Sequence, residues 1–68
     1  MKIIGERIRL LRTENNLSQE SFAKKIGSNQ KQVSKWERGQ IEPNIDMLTK
    51  LADYFETSVD YLIGRKDY

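Results

Sequence analysis

Twelve residues, Ser28 to Gly39, constrain this chain more than any other stretch. S-N-Q-K-Q-V-S-K-W-E-R-G reads as a short helix with both ends written into it. Asn29 is a good N-cap, because its side-chain oxygen can accept from a free amide of the first turn. Gln32, three residues on, can reach back to the cap amide and complete a capping box. Gly39 supplies the left-handed residue that commonly closes a helix. Val33 and Trp36, three apart, predict the buried stripe. Gln30, Lys31, Gln32, Ser34, Lys35 and Arg38 cover the rest, and nearly all are hydrogen-bond donors. Basic amphipathic helices are often no more than solvated faces. One anchored by two apolar residues, with amides and cations outward, also has what reading the major groove of duplex DNA requires.

The remaining pattern is helical throughout. Ile4, Ile8 and Leu11 repeat at helical spacing over residues 2–15, with Arg7, Arg9 and Arg12 around them. Asn15-Asn16 ends this helix, since asparagine tolerates the left-handed conformation. Ser18 caps a second helix over 19–26, with Phe22, Ala23 and Ile26 inward and Glu20 in the first turn, where the dipole favours a negative charge. Ala23 is small, at a place where another helix must cross closely. Gly27 stops it, and the helix of 30–38 follows. Helix, short turn and helix in this order form a helix-turn-helix arrangement. After Gly39, Pro43 blocks further helix and biases Glu42 to an extended conformation, and Ile41 is expected to plug the core. Asn44 caps a fourth helix over 45–55, whose Leu48, Leu51, Ala52 and Phe55 form a stripe. Thr57 or Ser58 caps a fifth over 59–63, with Val59 and Leu62 inward. Gly64 ends it, leaving 65–68 as a tail. The expectation is one all-α domain of five helices over 1–68.

Composition narrows the function. With no cysteine and no histidine, neither a disulfide nor a zinc site is expected, and no cofactor is called for. No nucleophile or base of those types, glycine-rich phosphate loop or paired carboxylate cleft is evident, so the chain does not read as an enzyme. No apolar run approaches the roughly 20 residues of a membrane span, and no signal-peptide core is present. A cytoplasmic protein without a membrane or small-molecule partner is expected. Charge is unevenly placed: residues 1–39 carry nine Lys/Arg against four Glu, whereas residues 40–63 set Lys50 against five acids. The basic part coincides with the candidate reading helix, so a polyanion can bind there while the acidic part faces away.

At this point a resemblance appears. Ile8-Arg9-Leu10-Leu11-Arg12, Leu17 to Ala23, Gln30 with Val33 to Gly39, Pro43-Asn44, Leu48 to Ala52 and Ser58 to Gly64 resemble the phage repressor and Cro-like helix-turn-helix domains of the lambda and XRE type. The likeness covers roughly residues 4–64 and the spacing of all five helices. It implies a five-helix domain that binds double-stranded DNA, usually a transcriptional regulator acting as a homodimer in bacteria or phage.

Carried over, Gln30, Lys31, Ser34 and Lys35 would face base edges. Gln19 would bond a phosphate, aided by the helix N-terminus. Gln32 is either a cap or a phosphate contact. Arg38, with the amides near Gly39 and Gln40, would hold the backbone across the groove. Arg12 and Glu37 resemble a structural ion pair tying the first helix to the third. Tyr61, Ile63 and Tyr68 lie where relatives dimerise. Here Ser28 stands where the family often has an apolar residue, Asn29 where it has Ser or Thr, and Asn16 where it has glycine. Trp36 reads as core, and Lys24 and Lys25 as a solvated edge.

The expected function is a repressor occupying a near-palindromic operator; the rival reading is an antitoxin-like or other protein-interaction module that keeps the fold. Lys35→Ala is expected to relax specificity at one position, and Gln19→Ala to weaken binding to all sequences alike.

Overall fold

The computed structural model describes residues 2–68, with side chains from residue 3. Five helices follow in order: α1 (Lys2–Glu14), α2 (Gln19–Lys25), α3 (Gln30–Glu37), α4 (Ile45–Tyr54) and α5 (Val59–Leu62). Each ends one residue short of its expected limit. Ile26, Arg38, Phe55 and Ile63 are the C-caps of the last four, and Asn15 is a turn residue whose amide still bonds back to Leu11 and Arg12.

The ends are fixed locally. Ser18, Asn29, Asn44 and Ser58 are extended N-caps whose side chains accept from Ser21, Gln32, Met47 and Tyr61 amides at 3.0, 2.9, 2.8 and 3.0 Å. Between Thr57 and Ser58, the cap of α5 is therefore Ser58. Only half of the expected capping box at α3 forms: Asn29 accepts from the Gln32 amide, but the Gln32 side chain is exposed and makes no return bond among the described residues. The helices are closed by left-handed residues at Asn16, Gly27, Gly39 and Gly64, and at Glu56, where the sequence carries no such signal.

The core gathers Ile4 and Ile8 of α1, Phe22, Ala23 and Ile26 around α2, Val33 and Trp36 of α3, Leu48, Leu51 and Ala52 of α4, and Leu62 of α5. Helix α1 packs on α3 and α5, α2 on α3, and α4 on α5. Phe22 stacks on Phe55 with ring centroids 5.4 Å apart, and Tyr54 meets Phe55 edge-on at 5.0 Å. No helix among the described residues is long and apolar enough to cross a membrane.

The expectation for Ile41 is corrected. It is 38% exposed, and Pro43 is buried instead. The amides of Gln40 and Ile41 both donate to the Lys35 carbonyl, which wraps these two residues over the end of α3. Pro43 then enters the core at no hydrogen-bonding cost, because it has no N–H to satisfy.

A further close approach of two helices lies in α1. Gly5, in the first turn of α1, is buried against the end of α3. A Cβ there would collide with the carbonyl oxygen of Trp36 and lie 2.9 Å from that of Glu37. Glycine is required because backbone, rather than side chain, occupies the space.

Candidate nucleic-acid interface

Helix α3 is half anchor and half display. Val33 and Trp36 are buried with Glu37, while Gln30, Lys31, Gln32, Lys35 and Arg38 are exposed and Ser34 is half-buried. The spacing that puts Val33 and Trp36 inward forces Gln30, Lys31, Ser34 and Lys35 onto the remaining face. Among the described residues Gln30, Lys31 and Lys35 stay exposed, so with Ser34 four hydrogen-bonding side chains share one face of a short helix. Arg38 turns back along its own helix, its Nε donating to the Ser34 carbonyl at 3.3 Å.

Two expected backbone contacts change character. The amides of Gly39 and Gln40 donate to the carbonyls of Trp36 and Lys35 at 3.0 and 2.9 Å. They already serve to close α3, so only the exposed side chain of Gln40 remains to contact an outside group. Gln19 is half-buried rather than free, and both ends of its amide are engaged.

The electrostatic centre is Glu37. Its side chain is wholly buried, yet four hydrogen bonds reach it. Arg12 Nε donates to Oε2 at 2.6 Å; Arg12 Nη2, Gln19 Nε2 and Arg9 Nε donate to Oε1 at 3.0, 3.1 and 3.2 Å. Arg12 also donates to the Leu17 carbonyl at 2.7 Å, so this one side chain joins α1, the α1–α2 turn and α3. Burial pushes the Glu37 carboxyl up, but the hydrogen bonds from Arg12, Gln19 and Arg9 outweigh it and hold the carboxyl below its ordinary value. The Glu37 hydrogen bond in turn raises the Arg12 guanidinium against the opposing effect of burial. At pH 7 the pair is fully charged.

The network continues to the surface. Gln30 Nε2 donates to Gln19 Oε1 at 2.7 Å, which ties the first residue of α3 to the first residue of α2. Arg9, 58% exposed, is held beside Gln19 because both donate to the same carboxylate oxygen. Reading the sequence overlooked both features. Arg9 showed only as one of three arginines on α1, and the Gln19–Gln30 bond spans a separation that no periodicity reports.

The three residues named for dimerisation lie apart from this network. Tyr61 is half-buried, with Arg7 stacked over its ring at 4.1 Å. Ile63 packs partly against the core, and Tyr68 is 81% exposed. Arg7 also donates to the Lys66 carbonyl at 3.2 Å, fastening the tail to α1.

Comparison with known proteins gives these features a setting. A family model described as Helix-turn-helix matches residues 8–62. Repressor protein C2 of Salmonella phage P22 is 36% identical over 62 residues, covering 91% of this chain and 29% of that protein. The transcriptional repressor RstR of the cryptic phage CTXphi in Vibrio cholerae is 37% identical over 62 residues, covering 91% and 55%. The HTH-type transcriptional activator BcrR of Enterococcus faecalis is 32% identical over 63 residues, covering 93% and 31%. The chain thus spans between about a third and somewhat over half the length of these relatives. In three dimensions it is similar to the P22 c2 repressor solved in complex with a synthetic operator, with a TM-score of 0.82 at 35% identity over 91% of this chain and 94% of that one.

Proposed function

The chain belongs to the XRE-type helix-turn-helix family, and from that premise we propose that it is a sequence-specific regulator of transcription that binds double-stranded DNA. The observation that carries this reading is the uncovered face of α3, where Gln30, Lys31, Ser34 and Lys35 stand on a helix clamped from behind by Val33, Trp36 and Glu37. Likeness to a repressor solved on its operator supports it.

In this reading α3 lies in the major groove, and those four residues discriminate base pairs. Gln30, holding one N–H on Gln19, keeps a second N–H and its oxygen for adenine N7 and N6. Lys31 and Lys35 can reach guanine O6 or N7. Gln19 keeps one N–H for a phosphate, with Arg9 beside it; Gln32, Arg38 and Gln40 flank the backbone. A homodimer through Tyr61, Ile63 and Tyr68 places two copies of α3 about 34 Å apart on a near-palindromic site. The names of the relatives C2 and RstR support repression; the form proposed here is occlusion of the promoter, in the cytoplasm of a bacterium or of a phage-infected cell.

Selection of bound duplexes from a random pool, followed by a salt titration, tests this. The expected result is a symmetric site whose affinity falls steeply with salt, about −0.9 in log–log slope for each phosphate neutralised. Recovery of no site, with no duplex binding at low salt, refutes it and favours a protein-docking module.

A further inference from the structure

The buried carboxylate and the exposed amide of Gln30 are linked by an unbroken hydrogen-bonded relay, and the chemistry of the relay fixes its direction. A carboxylate only accepts hydrogen bonds. Gln19 must therefore turn its nitrogen inward to Glu37, at 3.1 Å, and its oxygen outward. That oxygen in turn demands a donor, which Gln30 supplies through Nε2 at 2.7 Å. Gln30 is left with its nitrogen on the Gln19 side and its oxygen on the other. Neither amide can be reversed without setting oxygen against oxygen. The Glu37 end cannot swing away, since Arg12 and Arg9 hold the same carboxylate.

We infer that Glu37, acting through Gln19, sets which way round the Gln30 amide lies and thereby which base pair Gln30 selects. This rests on the proposed reading of duplex DNA by Gln30. Glu37 is a positioning residue: its side chain is wholly buried and touches neither base nor phosphate. A locked amide offers a donor and an acceptor in one order. Adenine, with N7 accepting and N6 donating, satisfies that order; guanine sets O6, a second acceptor, against the Gln30 oxygen. An unlocked amide can rotate to meet guanine with its nitrogen or cytosine with its oxygen, and discrimination falls. The relay also alters the expectation for Gln19→Ala: besides weakening every sequence, it frees Gln30.

The test uses the selected duplex and three duplexes altered at the position where Gln30→Ala loses discrimination. Affinities are measured for the native chain, Glu37→Gln and Gln19→Met. Glu37→Gln keeps the shape but offers an N–H₂ as well as an oxygen, so either orientation of Gln19 becomes acceptable. Gln19→Met removes the relay and leaves the Arg12–Glu37 pair in place, so it tests whether Gln30 depends on Gln19. If Glu37→Gln folds poorly, Glu37→Met made together with Arg12→Met, which leaves no buried charge unpaired, tests whether Gln19 depends on Glu37 and should show the same loss at that position. The preference at that one position should fall roughly tenfold in both variants, a magnitude within that of one bidentate base contact, while preferences at all other positions stay unchanged. An unaltered preference there in Gln19→Met overturns the inference alone, as does an equal loss at every position. A native chain that selects no duplex overturns the DNA reading and this inference with it.

Discussion

The contact between α1 and α3 and the contact between Phe22 and the end of α4 join the same small core by opposite means. The first is close and polar: Gly5 lets α1 reach the last carbonyls of α3, and Arg12, Arg9 and Gln19 converge on Glu37. The second is apolar, with Phe22 wholly buried against Phe55 and Tyr54. Burial of rings is non-directional and scales with area, so it supplies stability but orients nothing outside itself. A hydrogen-bonded carboxylate is directional, and it dictates how its neighbours point. The molecule uses the directional contact behind the exposed face of α3 and the non-directional one between α2 and the end of α4.

If that division is right, the largest loss of stability belongs to the aromatic contact. Phe22→Ala is expected to cost ~3–5 kcal/mol, enough to leave a domain of this size largely unfolded at 25 °C; urea unfolding followed by circular dichroism measures it. Arg12→Met should follow at about 3 kcal/mol, the lower end for a broken buried pair, because Arg9 and Gln19 still reach Glu37. A larger loss for Arg12→Met than for Phe22→Ala would reverse the comparison. Gly5→Ala should cost about 1–3 kcal/mol as an overpacked contact between backbones, and should also displace α3; amide chemical shifts at Trp36 and Glu37 report that movement. The smallest effect is on acid stability. Glu37 titrates below its ordinary value in the folded state, so the stability it contributes is complete above the unfolded carboxyl value of about 4.3 and is lost as pH falls through the folded value. The urea midpoint should therefore drop below about pH 4 in the native chain, and less so in Glu37→Gln.

Much of this was legible in the chain itself. The caps Ser18, Asn29 and Asn44 and the stops Asn16, Gly27, Gly39 and Gly64 declare the helices, because capping and left-handed backbone depend on neighbours within a turn. The stripes Ile4-Ile8, Phe22-Ala23-Ile26, Val33-Trp36 and Leu48-Leu51-Ala52 declare the core for the same reason, and by subtraction they leave Gln30, Lys31 and Lys35 exposed, with Ser34 half-buried among them.

What periodicity could not reach is what depends on the meeting of distant segments. Whether Ile41 or Pro43 turns inward is settled by how the loop folds over the end of α3. That Gly5 is a crossing point, and not merely a weak place in α1, appears only when α3 lies against it. The chain by itself determined which residues form helices and which faces they bury. Tertiary structure alone decided that Arg9, Arg12 and Gln19 share one carboxylate, and that Gln30 is held through it. A hydrogen bond between residues 11 or 28 apart in sequence exists only once packing has brought them within 3 Å or so.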